Sequence, residues 1–285
     1  MTKNRVFIKW AGGKKQLLSQ FENYFPRKIE RYFEPFVGGG AVAFHIIQKY
    51  NPKKVYLSDI NEDLVNCYNV VKNNVEELIV LLKNYKNQHS KEFYYQMREK
   101  EQDNLNKIER AARFIYLNRT CFNGLYRVNS KGKFNVPMGS YKNPNICPDS
   151  DLREVSKLLK NAVIENKQFY DAVKNVSEGD FVYFDPPYDP LPGSKSFTTY
   201  TKYNFLKEEQ KKLSQVFDTL DNKKALVMLS NSDTDFIKDL YKAHNVSFVK
   251  ATRMINSDAS KRGKINEVVV TNYSPKIEQT NIFDK

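Results

Sequence analysis

Cysteine, histidine and tryptophan are scarce in this chain, with three, three and one copies among its 285 residues. Cys67, Cys121 and Cys147 lie far apart, are odd in number, and form no Cys-x-x-Cys. That argues against a disulfide framework and against a structural zinc site, and the scattered His45, His89 and His244 supply no ligand cluster either. The expected chemistry needs no metal. Also missing are a signal-like apolar segment after Met1 and any run of about 18 apolar residues able to span a bilayer. The expectation is a soluble protein of the reducing cytoplasm with no membrane partner. Repeats and low-complexity tracts are lacking as well.

Aromatic residues, by contrast, are plentiful, with 19 Phe and 18 Tyr, and hydrophobic residues make up 40% of the chain. This is enough to build a core and rules out a mainly disordered chain. Lys and Arg number 46 against 33 Asp and Glu, a formal charge of +13, which suits a polyanionic partner. The surplus is concentrated in one place. From Arg110 to Pro148 there is no acid at all, while Arg110, Arg113, Arg119, Arg127, Lys131, Lys133 and Lys142 alternate with Phe114, Tyr116, Phe122, Tyr126, Phe134 and Tyr141. Cations contact phosphates, and flat rings and guanidinium groups stack on or read bases. Phe114 and Tyr116, at helical positions, read better as core. A smaller basic cluster, Lys261, Arg262 and Lys264, precedes the last strand.

Short apolar runs alternate with helical periodicity, the pattern of an α/β fold with a mostly parallel sheet. Leu17, Leu18, Phe21 and Phe25 are at helical spacing over 14–25. Strands are expected at 31–36, 54–58, 162–165, 180–184, 224–229, 246–251 and 267–272, with a helix over 41–49. From 62 to 118 the chain reads as helical throughout, with Leu78, Leu81, Leu82 and Tyr85 on one stripe. Tyr126–Val136, turning at Ser130-Lys-Gly132, reads as a hairpin. The simplest organisation is one α/β unit, residues 1–59 and 148–285, interrupted by an inserted unit over 60–147.

Two motifs carry the chemistry. Phe33-Glu-Pro-Phe-Val-Gly-Gly-Gly40 ends the first strand in glycines, where a backbone can turn tightly and approach a ligand. Gly38 and Gly40 fall short of the full dinucleotide fingerprint, which weakens a pyrophosphate reading. Asp59 closes the second strand about 20 residues later, where an acid can accept from ribose hydroxyls or cap the following helix. Phe184-Asp-Pro-Pro-Tyr188 is more specific. Its prolines donate no hydrogen bond and fix the backbone. Asp185 and the Pro186 carbonyl can then each accept from a planar amino group, with the Tyr188 ring offered for stacking.

These segments, together with Lys9-Trp-Ala-Gly-Gly-Lys14, Asn123-Gly-Leu-Tyr-Arg-Val-Asn129 and Phe134-Asn-Val-Pro137, stand in the order found in DNA adenine methyltransferases of the Dam type, and the chain resembles that family from Asn4 to about Tyr273. The resemblance implies a Rossmann-like, S-adenosylmethionine-dependent methyltransferase sheet with a helical and β-hairpin insertion that recognises DNA. It implies methylation of the adenine amino group in double-stranded DNA, within GATC, with the base flipped out. Trp10, Lys14, Glu34, Phe36, Gly38, Gly40, Asp59 and Asp185 would line the cofactor pocket, and Asp185, Pro186 and Tyr188 would form the catalytic motif. Lys9, Asn123, Leu125, Arg127, Pro137 and Tyr141 would read the site, with Phe122 beside the flipped base. A restriction endonuclease acting on the same site, without a stable complex, is a further partner the family implies.

Three other readings fit less well. An RNA base methyltransferase would usually carry Asn before Pro-Pro and lack the basic hairpin. A cytosine amino methyltransferase would begin the motif with Ser. A non-catalytic DNA-binding protein would need a helix-turn-helix or zinc-finger spacing that the chain lacks.

Overall fold

Phe181–Phe184 is buried at all four positions, the signature of a strand covered on both faces, and it lies at the centre of the sheet. The structure, a computed structural model, describes residues 6–129, 131–191, 205–252 and 264–276. Its sheet contains β1 (Arg31–Glu34), β2 (Lys54–Asp59), β3 (Ala162–Asn166), β4 (Phe181–Phe184), β5 (Leu226–Ser232), β6 (Asn245–Thr252) and β7 (Lys264–Thr271). Their order is β3-β2-β1-β4-β5-β7-β6. The first five strands run parallel, while β7 is antiparallel to both β5 and β6. The expected parallel sheet is thus closed at one side by an antiparallel pair.

The helices are α1 (Leu18–Phe21), α2 (Ala41–Tyr50), α3 (Glu62–Asn73), α4 (Val75–Asn87), α5 (Lys91–Glu99), α6 (Lys107–Thr120), α7 (Asp149–Leu159), α8 (Phe169–Ala172), α9 (Lys207–Asn222) and α10 (Asp235–Leu240). Two buried clusters cover the two faces of the sheet. One joins Phe21, Phe44, Tyr68, Leu78, Tyr116, Val155 and Tyr183, and the other joins Phe33, Phe169, Phe184, Phe217, Leu229 and Val268. This is a doubly wound sheet of the Rossmann-like kind. Among the described residues no helix is long and apolar enough to cross a membrane.

Local chemistry breaks the long helical stretch into four. Ser90 caps α5 by accepting from the Phe93 N–H. Asn106 caps α6 with a reciprocal capping box to Glu109, an arrangement worth about 1 kcal/mol. The helix expected over 14–25 is a 3-10 turn at Lys14–Gln16 followed by the short α1, tightened where Lys14 turns back to donate to the Gly12 carbonyl at 2.6 Å. The expected hairpin has no regular strands. Among the described residues it is held by isolated bridges, Cys121 to Met138 and Val128 to Phe134, by backbone bonds from Asn129 to Lys133 and from Asn135 to Arg127, and by the Asn129 side chain, which accepts from the Lys131 and Lys133 N–H groups. Ser130, Lys261, Arg262 and the tail beyond Lys276 lie outside the described residues.

Candidate active site and recognition hairpin

The strand order turns outward in opposite directions from β1 and β4, and in such sheets ligands bind at that switch point, beyond the carboxyl ends of the strands. Here those ends carry acids and hydroxyls where the strands themselves are apolar. Glu34 ends β1, Asp59 ends β2, Asp185 follows β4, and Ser230, Asn231 and Ser232 end β5.

Asp185 is the most elaborately held of these. Its Oδ1 accepts from the Lys14 ammonium at 2.8 Å and from the Ser230 hydroxyl at 3.0 Å. Ser230 in turn is 2.8 Å from the Tyr183 hydroxyl. Burial raises the Asp185 carboxyl above the usual carboxylate range, with Lys14 and Ser230 pulling the other way. Among the described residues, none donates to Asp185 Oδ2 or to the Pro186 carbonyl. Two acceptors one residue apart are therefore left for a ligand. The half-buried Tyr188 ring lies 4.6 Å from the same ammonium, and its hydroxyl donates to Glu267 at 2.8 Å. Sequence reading placed Lys14 in a pocket by resemblance only; the structure shows it buried and central.

The other two strand-end acids are buried more deeply. Glu34 accepts from the Tyr32 hydroxyl at 2.6 Å, and burial holds it far above its ordinary range, with Asp185 and Asp59 adding to the rise and Lys14 opposing it. Asp59 Oδ2 accepts from the Gly38 N–H at 3.1 Å and its Oδ1 from the Asn61 N–H at 3.0 Å. It thereby ties the glycine turn to the start of α3, whose N-cap is Asn61, accepting from Leu64. The capping alternative for Asp59 passes to its neighbour. Burial pushes Asp59 from 3.8 up to about 6, against three backbone donors.

A carboxyl held more readily protonated in the folded state than in the unfolded one stabilises the fold at low pH and loses that contribution as pH rises. For Asp59 the window runs from about 4 to about 6, and the loss is on the order of 3 kcal/mol at about 1.4 kcal/mol per tenfold. Urea denaturation from pH 4 to 7 should show stability falling through this window relative to Asp59→Asn. Parallel curves for the two proteins would remove Asp59 as the titrating group.

The glycines act differently from the sequence expectation. The space above Gly38 is taken by Trp10: a Cβ at Gly38 would meet the indole Cδ1 at 2.8 Å. Gly40 sits at φ 73°, and a Cβ there would meet the Tyr68 hydroxyl at 2.5 Å and Phe44 at 2.9 Å. Both glycines thus answer first to packing within the protein. Trp10 stacks on Tyr126 with ring centres 5.6 Å apart, and Tyr126 contacts Phe114 and Phe134, so an aromatic column links the turn to the hairpin. Phe36 stacks on Phe169 beside Phe184.

The residues expected to face DNA come together from three segments. The Lys9 ammonium sits 4.0 Å over the Tyr141 ring, and its stem lies against Gly124, where a Cβ would meet it at 2.3 Å. Buried Asn118 bonds both the N–H and the carbonyl of Lys9 and also the Gly124 carbonyl. The Phe122 N–H donates to the Pro137 carbonyl, while the Phe122 ring is 52% exposed, rare for so large an apolar group. Asn123 is exposed in the left-handed region at φ 54°, and Leu125 follows it half-buried. Exposed Arg127 donates through Nε to Asn135 at 2.8 Å, which fixes one edge of its guanidinium.

Much of the basic run is paired within the protein. Arg110 pairs with Glu62 and Asp63, Arg113 is buried against the carbonyls of Met97 and Arg98, and Arg119 donates twice to the Phe7 carbonyl. Lys133 pairs with Glu101. The acids they meet lie outside the run, so an acid-free window overstated the free charge. Sequence reading also missed Gln210, Ser230, Asn231 and Ser232. The polar ending of β5 after an apolar run was the available signal.

Fit to a ligand follows from the charges. Glu34 and Asp59 are buried, Asp185 is half-buried, and the one ammonium among these strand ends is paired to Asp185, an excess of acid that favours a ligand bringing positive charge and hydroxyl donors. No three His, Cys, Asp or Glu among the described residues are grouped to hold a metal ion. Strand ends of this kind at a switch point mark the candidate site of a Rossmann-like α/β enzyme. A model of the D12 class N6 adenine-specific DNA methyltransferases matches residues 10–255. Relatives include the type II methyltransferase M.MjaIII of Methanocaldococcus jannaschii, 49% identical over 94% of this chain and 99% of that protein. The type II methyltransferase M1.LlaDCHI of Lactococcus lactis subsp. cremoris is 46% identical over 94% of this chain and 95% of its own. The DNA adenine methylase of Escherichia coli is 35% identical over 96% and 97%. The chain belongs to the D12 class N6 adenine-specific DNA methyltransferase family, and its substrate is DNA.

Proposed function

We propose that the enzyme takes S-adenosylmethionine as methyl donor and modifies the adenine of GATC in double-stranded DNA after drawing that base out of the helix. The observation that carries this reading is the pair of open acceptors, Asp185 Oδ2 and the Pro186 carbonyl, beside the Tyr188 ring.

An adenine amino nitrogen is a weak nucleophile because its lone pair is delocalised into the ring. Accepting both amino hydrogens, at Asp185 Oδ2 and the Pro186 oxygen, favours a tetrahedral nitrogen and localises the lone pair. The raised proton affinity of Asp185 suits it to take the proton that the methylated amino group sheds. When bound, the sulfonium of the cofactor supplies an already activated methyl group. Trp10, Lys14, Glu34, Phe36, Gly38, Gly40, Asp59 and Asp185 would hold that cofactor. The protein's task is orientation.

A base inside a duplex is unreachable, and extruding it costs a few kcal/mol. Stacking on Tyr188 would return about 1–3 kcal/mol, leaving the remainder to phosphate and groove contacts. Residues 60–147 would act as the recognition unit, through Asn123, Leu125, Arg127, Pro137 and Tyr141 together with Lys9, and with Phe122 entering the gap left by the base. Replacing Arg127 by Ala should lower discrimination at one base pair by about 1–3 kcal/mol, measured as relative methylation of single-substitution duplexes. An equal loss on every sequence would make Arg127 a phosphate contact instead. The relatives named type II methyltransferases support a setting beside a nuclease of the same site.

The test is direct. Plasmid DNA incubated with the protein and S-adenosylmethionine should resist a nuclease blocked by N6-methyladenine in GATC and stay sensitive to a nuclease indifferent to it. Methyl incorporation with full cutting by both would place the modified adenine in another sequence.

A further inference from the structure

The catalytic turn has little backbone support of its own. β4 stops pairing with β5 at Phe184, and Pro186 and Pro187 have no N–H to donate. Yet the segment after them is held at Pro187 and Asp189, and side chains provide those bonds. Gln210 on α9 donates from Nε2 to the Pro187 carbonyl at 2.9 Å. Asn231 Oδ1 accepts from the Asp189 N–H at 3.0 Å, and Ser232 donates to the Asp189 carbonyl at 2.6 Å. Thr234, the N-cap of α10, donates to the Asp189 carboxylate at 2.8 Å. Asn231 and Gln210 also bond to each other at 3.1 Å. From the same strand end, Ser230 holds Asp185 Oδ1.

All of these groups are buried: Gln210 is 1% exposed, Asn231 0% and Thr234 7%. Burying so many amides and hydroxyls is costly unless each is bonded, and apolar residues of like size would pack a plain strand end at less cost. A satisfied buried network instead selects one geometry. It grips the turn on both sides of Pro186, at Asp185 and at Pro187–Asp189, and among the described residues it leaves Asp185 Oδ2 and the Pro186 oxygen untouched.

We propose that Gln210, Asn231, Ser232 and Thr234 form a polar clamp of positioning residues, which aims the Asp185–Pro186 pair at the amino nitrogen without touching substrate. This rests on the reading of that pair as the adenine-binding acceptors. Misplacement of a reacting group by about 1 Å costs about 100-fold in rate. The full-length protein carrying Gln210→Met, which keeps length and loses both bonds, should show a single-turnover methylation rate lowered about 10- to 100-fold. Its Kd values for S-adenosylmethionine and for duplex DNA should stay within about twofold. Thr234→Val should lose rate in the same manner and Thr234→Ser should recover it; this pair decides the matter if Gln210→Met fails to fold. A folded Gln210→Met with wild-type rate, or one that loses affinity while keeping its rate, would overturn the clamp. Asp185→Ala run in parallel separates the two ideas, since an active Ala variant defeats the acceptor reading and an inactive one beside an active Gln210→Met defeats the clamp alone.

Discussion

Asp185→Ala should abolish methyl transfer, with a fall of at least about 10³-fold, while binding of duplex DNA largely survives. The carboxylate is one of two fixed acceptors, and preorganised polar groups at a reacting centre are each worth about 10²–10³ in rate. DNA affinity should hold because the phosphate and groove contacts are proposed for Lys9, Arg127 and Tyr141, whose contacts within the protein do not involve Asp185. Radiolabelled methyl incorporation and gel-shift titration on the same preparation give both numbers. An Ala variant retaining a tenth of the activity would dismiss Asp185 from the chemistry.

Lys14→Met should be nearly as damaging, and it should harm the fold as well. Lys14 is 5% exposed and pairs with Asp185 at 2.8 Å, with Glu34 and Asp59 close enough to feel its charge or each other's. Removing one partner of a buried pair costs about 3–5 kcal/mol because the other charge is left uncompensated. The sign for activity follows. Asp185 already binds its proton more readily than an ordinary carboxyl, and loss of the ammonium raises that affinity further. Whatever activity remains should therefore appear only at higher pH than in the native enzyme. Denaturant midpoints for Lys14→Met, Asp185→Asn and the double variant test the coupling. If the double variant is destabilised by the plain sum of the singles, the pair does not stabilise the fold as described.

The strands were readable because central parallel strands are covered on both faces and so appear as short apolar runs. Phe181–Phe184 is the clear case. The strand-end acids were readable for the same reason in reverse, since Glu34, Asp59 and Asp185 interrupt apolar segments. What could not be read was partnership. Arg110, Arg113 and Arg119 look like a DNA-facing stripe until Glu62, Asp63 and the carbonyls of Phe7, Met97 and Arg98 are brought against them. The strand expected over 224–229 extends to Ser232, because Ser230, Asn231 and Ser232 pair with Val269, Val268 and Glu267 of β7 while their side chains are satisfied across space by Asp185 and Asp189.

Local composition and order determined the alternation of strands and helices, the switch-point acids, and the Asp-Pro-Pro-Tyr turn, since each depends on backbone preference and burial period within a few residues. Tertiary structure alone decided that Lys14 meets Asp185, that Trp10 fills the space over Gly38, and that α9 and β5 grip the turn after Pro186. Those contacts join residues from 23 to more than 170 positions apart in the chain. Hydrogen bonds and ion pairs reach only about 3–4 Å, so nothing along a one-dimensional sequence sets which groups will come within that reach.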